Sequence, residues 1–142
     1  MFIGEYHHVV DEKGRLAIPV AFRTMLTKGA VVTRGLDFCL SVYSAGEWKK
    51  MAAKITSLPI TQANNRAFSR FMLAGAMEIA LDKQGRLVLP PYLRQYAKVG
   101  KEVVVAGVYD RFEIWDKDAW GKYRQATEEG ANDIAEKLGQ MV

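Results

Sequence analysis

The stretch Asp11-Glu12-Lys13-Gly14-Arg15 recurs 71 residues later as Asp82-Lys83-Gln84-Gly85-Arg86. Downstream of the turn the match continues at the same offset of 71. One additional residue in the second copy then raises the offset to 72, and the match continues at that offset. The matched residues of the first copy are Leu16, Ile18, Pro19, Arg23, Val31, Val32, Gly35, Leu40, Val42, Tyr43 and Trp48. Their counterparts in the second copy, in the same order, are Leu87, Leu89, Pro90, Arg94, Val103, Val104, Gly107, Phe112, Ile114, Trp115 and Trp120. Such a period is typical of a duplicated structural unit. The sequence therefore predicts two copies of one small βαβ-type unit.

Each copy has the same predicted order of elements. A strand leads into the Asp-x-x-Gly-Arg turn, whose glycine can take the positive φ of a tight reversal. A short strand, a short helix starting near a proline, and two further strands follow. The predicted strands are residues 6–10, 15–18, 30–34 and 39–43 in the first copy, and 77–81, 86–89, 103–107 and 112–115 in the second.

A unit of about 40 residues buries too little surface to be stable alone. The two copies are therefore expected to pack as an intrachain pseudo-dimer about an approximate two-fold axis, with both turns near one another on one side. The predicted fold class is α+β, mainly β with helices.

Apolar residues at helical spacing predict a helical hairpin between the copies, broken at Pro59 and resumed with Thr61 as a cap. An acidic, solvent-facing helix is expected over 117–138, weakened by Gly121 and Gly130.

Charge is unevenly distributed within the net +4 of the chain. Residues 47–101 carry ten Lys/Arg against three Asp/Glu, whereas residues 102–142 carry five against nine. A basic middle suits a polyanionic partner.

The longest apolar runs, such as 103–108, are too short to span a bilayer, and no signal peptide is readable. The single cysteine, Cys39, excludes an intrachain disulfide and a cysteine-based metal cluster, so a reducing cytoplasm is the expected location.

The residues of the repeated turn suit nucleic-acid recognition. Arg15 and Arg86 offer a rigid fork of donors that pairs bidentately with phosphate or with guanine O6 and N7. Asp11 and Asp82, four positions earlier, can hold that fork in place, while Gly14 and Gly85 allow the backbone reversal and Lys13 and Lys83 attract phosphate. Two matched arginines at fixed spacing suit double-stranded DNA. The alternative is that each Asp–Arg pair only staples a hairpin, and both roles are compatible.

Catalysis is not expected. His7 and His8 are adjacent, so on a strand they point to opposite faces and cannot act as a pair, although either could touch a phosphate. The sequence contains no nucleophile–base pair, phosphate-binding glycine loop or metal-ligand spacing. Cys39 lies in an apolar strand and is interpreted as packing. No cofactor, metal or small-molecule substrate is expected.

The chain closely resembles the MraZ family of bacterial transcriptional regulators, which are built of two tandem SpoVT-AbrB domains. The resemblance rests on both Asp-x-x-Gly-Arg turns, the opening Met1-Phe2-x-Gly4-Glu5-Tyr6, and Thr33-Arg34-Gly35-Leu36-Asp37. It implies a swapped-hairpin, AbrB/MazE-like (double-psi-like) barrel, with domains at 5–47 and 76–119, a helical hairpin connector at 48–75 and a helical tail at 120–142.

The resemblance also implies a function. Such proteins assemble into homo-oligomeric rings, bind short G-rich direct repeats upstream of the division and cell wall gene cluster, and repress their own operon at the nucleoid. The family's DNA-contacting arginines match Arg15 and Arg86. The alternatives are an AbrB-like antitoxin and a ring protein without DNA binding. Antitoxins of this type usually have one copy of the unit and a long acidic extension, whereas this chain has two copies and a short tail.

Overall fold

The computed structural model describes residues 1–139, which form eight strands and six helices. The strands are β1 (Phe2–Val9), β2 (Arg15–Ala17), β3 (Ala30–Arg34), β4 (Leu40–Ser44), β5 (Met77–Ile79), β6 (Arg86–Val88), β7 (Glu102–Tyr109) and β8 (Phe112–Asp116). The helices are α1 (Val20–Arg23), α2 (Ala45–Thr56), α3 (Ala63–Ser69), α4 (Pro91–Tyr96), α5 (Lys117–Glu129) and α6 (Ala131–Lys137). Single 3-10 turns (Thr24–Leu26, Leu36–Phe38) and a π-helical turn (Arg70–Ala74) complete the described elements.

The strands form a six-stranded sheet in the order β1-β7-β8-β4-β3-β5 and a separate two-stranded ribbon, β2-β6. Strands at equal distances from the middle of the sheet come from corresponding positions in the two copies, so the order is symmetric. Every ladder is antiparallel. A βαβ unit would pair parallel strands through a crossover. The βαβ-type description was therefore wrong, whereas the predicted order of two strands, a helix and two strands is confirmed in each copy.

The two copies exchange their first strands. β1 pairs along its whole length with β7 of the second copy, and β5 pairs with β3 of the first. This exchange confirms the intrachain pseudo-dimer. It also explains why β1 starts at Phe2, earlier than predicted: β7 offers eight residues as a partner. Closure of these strands into a barrel stays a prediction.

The approximate two-fold axis can be located from strand register. In the ribbon, Leu16 faces its own counterpart Leu87, and the pairs on either side are Arg15–Val88 and Ala17–Arg86. In the sheet, Ser41 likewise faces its counterpart Glu113. The axis therefore passes through the middle of the ribbon and the middle of the sheet.

An aromatic cluster fills the inner face of the sheet. Phe22 lies between Phe2 and Phe112, with ring centroids 5.1 and 5.4 Å away, and Tyr6 packs against it at 5.3 Å. Phe112 belongs to the second copy and the other three rings to the first. Burial of these large side chains removes much apolar surface from water. The core is thus shared by both copies.

Two corresponding helices cover the outer face. Trp48 of α2 packs on Tyr43, and Trp120 of α5 packs on Trp115, with centroids 5.5 and 5.4 Å apart. The residues before the two helices also correspond. The Ser44 hydroxyl accepts a hydrogen bond from the Glu47 N–H, and the Asp116 carboxylate accepts one from the Ala119 N–H. These side chains cap the helix starts.

The connector and the tail differ from the sequence prediction in detail. Gln62, without a side-chain capping bond, precedes α3, so the prediction that Thr61 caps this helix was wrong. α5 runs through Gly121, where a Cβ would meet open space, and ends at Glu129 with Gly130 as its C-cap. Residues 140–142 of the predicted tail lie outside the described residues. Within 1–139, no helix has the length and apolar character needed to cross a membrane.

Candidate nucleic-acid interface

The two Asp-x-x-Gly-Arg turns have the same geometry. Asp11 accepts hydrogen bonds from the backbone N–H groups of Lys13 and Arg15, both at 2.9 Å, and from Nε of Arg15 at 2.5 Å. Asp82 accepts the corresponding bonds from Gln84 N (2.8 Å), Arg86 N (2.9 Å) and Arg86 Nε (2.9 Å). Each aspartate therefore fixes the turn and orients the arginine that follows.

The ion pairs leave donors of both arginines available. Among the side-chain nitrogens of Arg15 and Arg86, only Nε donates a hydrogen bond within residues 1–139. Their side chains are 34% and 30% exposed. A guanidinium held at Nε presents both Nη groups as a fork that can meet two acceptors of one guanine or one phosphate. The staple and the recognition roles are thus geometrically compatible.

The glycines are required by conformation and by packing. Gly14 has φ +80° and Gly85 has φ +76°. A Cβ on Gly85 would lie 2.5 Å from Cζ of Arg23, and one on Gly14 would lie 2.9 Å from the Leu89 carbonyl oxygen and 3.1 Å from Cζ of Arg94. Each turn is therefore covered closely by an arginine of the other copy.

These covering arginines were missed by sequence reasoning. Arg23 donates Nε to the Ile18 carbonyl at 2.8 Å, and Arg94 donates Nε to the Leu89 carbonyl at 3.1 Å. The sequence does match these two arginines to each other at the offset of 71, but the match was not connected with a role in the site. Because Arg23 covers the second turn and Arg94 covers the first, each basic cluster is built from both copies. We call Arg15 with Arg94 the first head and Arg86 with Arg23 the second head.

The ribbon β2-β6 separates the two heads. The Gly14 carbonyl accepts a bond from Leu89 N (2.8 Å), and the Gly85 carbonyl accepts one from Ile18 N (3.0 Å), so the turns flank opposite ends of the ribbon. Arg15 and Arg86 are diagonal neighbours, a relation that corresponds to roughly 7–8 Å between Cα atoms. The turns lie close together, as expected, but the ribbon stands between them.

The remaining predicted residues are less symmetric. Lys13 and Lys83 are both exposed, but they do not correspond, since Glu12 occupies the position equivalent to Lys83. His7 is exposed and lies 3.2 Å from a Glu5 carboxylate oxygen. Burial, with the positive charge of nearby Arg23, lowers the pKa of His8. The lowered pKa favours the neutral form of His8.

Low pH should remove the stabilising effect of the aspartates in the two turns. Hydrogen bonds from the Arg15 and Arg86 backbone N–H groups are the main cause that lowers the pKa of Asp11 and Asp82. Their stabilising contribution is thus complete above the ordinary aspartate pKa of about 3.9 and is lost as pH falls through the lowered pKa. We expect the wild type to melt at a higher temperature than Asp11→Asn/Asp82→Asn at neutral pH, and the difference to vanish at low pH. A difference that persists at the lowest pH would contradict this role.

Gly85→Ala should damage the second head. A left-handed alanine costs about 1–2 kcal/mol, and the new Cβ would displace Arg23. We expect a lower melting temperature together with weaker binding of nucleic acid. Gly46→Ala in α2, where a Cβ meets nothing within 4 Å, is the control and should be neutral or slightly stabilising. Equal melting of both variants would show that the turn has no such requirement.

Other chemistry finds little support in the described residues. Among residues 1–139, no group of three or more His, Cys, Asp or Glu side chains could hold a metal ion. Cys39 is fully buried, and burial raises the pKa of its thiol. A buried, protonated thiol is a poor nucleophile.

Comparison with known proteins decides the family. A family model described as "MraZ protein, putative antitoxin-like" matches residues 1–71 and 72–141, which are the two copies. The chain belongs to the MraZ family. Curated relatives named transcriptional regulator MraZ include those of Caldanaerobacter subterraneus subsp. tengcongensis (48% identical over 97% of this chain and 96% of the relative) and Moorella thermoacetica (51% over 97% and 96%). The relative from Desulforamulus reducens is 49% identical over the full length of both chains.

Membership of the MraZ family fixes the broad class of the protein. The family consists of transcriptional regulators and not of enzymes. In this MraZ-family chain both Asp-x-x-Gly-Arg turns are intact and have matching geometry. The comparison and the fold therefore agree that the chain is a duplicated member of a family of transcriptional regulators.

Proposed function

We propose that this protein is a sequence-specific DNA-binding regulator that contacts guanine bases through Arg15 and Arg86. One observation carries the proposal: two equivalent guanidinium groups, each held at Nε by an aspartate, flank one two-stranded ribbon. A two-stranded ribbon fits the major groove of B-DNA, and arginine paired with guanine is the commonest specific contact there. Arg15, Arg86, Gly14 and Gly85 are the proposed DNA-binding elements of the turns.

Nearby cations supply the sequence-independent part of binding. Arg23, Arg94, Lys13 and Lys83 lie on or beside the two turns and suit phosphate contacts. Residues 47–101 add a wider basic region with a net charge of +7. Asp11 and Asp82 act as arginine-orienting residues. The DNA partner would place the protein at the nucleoid.

The proposed target is a set of short G-rich direct repeats upstream of the division and cell wall genes, with repression of the protein's own operon. The proposed binding species is a ring-shaped homo-oligomer, in which several heads engage successive repeats and weak single contacts add up. Self-association is supported by an exposed apolar surface. Phe38 is 62% exposed, its ring stacks on Tyr96 at 5.5 Å, and Lys98 lies over it at 5.7 Å. A ring needs such a surface to meet a different surface of the next subunit.

Dimethyl sulfate footprinting tests the proposal, because this reagent methylates guanine N7. On the DNA upstream of the protein's own coding sequence, wild-type protein should protect guanines that recur at regular spacing. Arg15→Lys keeps the charge but loses the fork, so it should bind with much weaker protection. Light scattering on the same samples should show an oligomer. Unprotected guanines at full occupancy would contradict base contact by the heads.

An antitoxin-like role is a second candidate, favoured by the description of the matching family model. In that case a small protein partner would copurify with the chain and occlude the heads. Stoichiometric copurification of such a partner, with no preference for the upstream DNA, would favour this candidate over the regulator.

A further inference from the structure

The ribbon between the two heads presents a mixed surface. Directly paired residues of an antiparallel ladder share a face, and the period of two places alternate residues together. Leu16 and Leu87 therefore share the buried face, and both are fully buried. The opposite face consists of Arg15, Ala17, Arg86 and Val88. An aliphatic side chain thus lies among groups suited to reading DNA.

Val88 is the unusual member of this face. It is 53% exposed and lies directly opposite Arg15 in the ladder. The ribbon does not require a valine there, since the equivalent position in the first copy is Ala17 and the same pairing forms around it. The valine side chain is therefore not needed for the pairing of the ribbon, and its exposure makes it available to a partner.

We propose that Val88 recognises the 5-methyl group of a thymine close to the guanine contacted by Arg15. This inference rests on the proposed DNA-binding function. In the major groove the thymine methyl is the apolar feature that distinguishes a T·A pair, and small apolar side chains contact it. Cross-strand neighbours have Cβ atoms about 4.5–5.5 Å apart, comparable to one or two base steps of about 3.4 Å. A ribbon in the groove would therefore bring Val88 over a base pair near that guanine.

The difference between Val88 and Ala17 makes the two heads inequivalent, so that the chain would bind DNA in one preferred orientation. Opposite Arg86 stands Ala17, whose single methyl reaches less far than the two methyls of valine. The turns also differ, because Glu12 in the first corresponds to Lys83 in the second. The two heads therefore read different sequences despite their common geometry. An asymmetric reader suits direct repeats, whereas a symmetric one would suit inverted repeats.

The test compares DNA with and without thymine methyl groups. The fragment upstream of the protein's own coding sequence is synthesised with dTTP or with dUTP, since uracil differs from thymine only by lacking the methyl group. We expect uracil to weaken wild-type binding by about fourfold per contacted methyl. Val88→Ala should bind the thymine fragment about as weakly as the wild type binds uracil DNA, and should lose most of the response to uracil. Val108→Ala, a 40% exposed valine on β7, is the matched control and should behave like wild type.

The outcomes separate this inference from the function on which it rests. Equal wild-type affinity for the thymine and uracil fragments, both above that for a scrambled sequence, would overturn the role of Val88 and leave the DNA-binding function standing. Retention of the full uracil effect in Val88→Ala would overturn it as well. No preference of the wild type for the upstream fragment over a scrambled one would overturn the proposed function, and this inference with it.

Discussion

Replacing Arg15 or Arg86 with alanine is expected to abolish specific binding to the upstream DNA while leaving the fold and the oligomer intact. Each arginine is held at Nε by an exposed aspartate, and its Nη groups, beside the ribbon, donate no hydrogen bond within residues 1–139. A bidentate arginine–guanine pair contributes about 1–3 kcal/mol of discrimination. Because every subunit of an oligomer loses the same contact, the total loss exceeds that of one pair. Fluorescence anisotropy with the upstream fragment measures it.

The controls separate recognition from charge and from stability. Lys122→Ala removes one positive charge from α5, which packs against β7 and β8, and should weaken binding to specific and scrambled DNA alike and only slightly. Thermal melts of Arg15→Ala and Arg86→Ala should stay close to wild type, since exposed ion pairs contribute little to stability. Either arginine variant binding the upstream fragment like wild type would show that the arginine assignment is wrong.

Phe22→Ala should cost about 3–5 kcal/mol of the free energy of unfolding, a large part of the total for a protein of this size. Phe22 is almost fully buried and joins Phe2 to Phe112, so the cavity would open where the two copies meet. Since the exchanged strands and this cluster belong to both copies, the chain should still unfold in one transition. Denaturant unfolding followed by circular dichroism gives the free energy and the number of transitions.

Phe68→Ala provides the matched control for this change. Phe68 is 36% exposed in α3, and its loss should cost far less than that of Phe22. Two separate transitions in the wild type, with only one of them shifted by Phe22→Ala, would contradict the shared core.

Much of the fold followed from the repeat. The matched positions predicted the pseudo-dimer, and the spacing of Asp, Gly and Arg predicted a turn whose aspartate holds the arginine. Local sequence could reach these features because they lie within a few residues of one another. The length of β1 could not be predicted in this way, because it is set by pairing with β7, about 100 residues along the chain.

The sequence could not predict that each head contains arginines from both copies, because these arginines are also far apart along the chain. Arg23 appeared only as the counterpart of Arg94 in the repeat, and nothing in the local sequence places it on Gly85. That contact depends on the antiparallel register of β2 with β6. The asymmetry between Val88 and Ala17 also gained meaning only when the ribbon showed that both lie on the exposed face.

The most direct test of the account is the affinity of the wild-type protein for the DNA upstream of its own coding sequence, measured against a scrambled fragment of equal length and composition at two salt concentrations. We predict binding at least about 10³-fold tighter to the upstream fragment at physiological salt, with the affinity for both fragments falling as salt rises. Equal affinity for the two fragments at both salt concentrations would contradict sequence-specific recognition by Arg15 and Arg86.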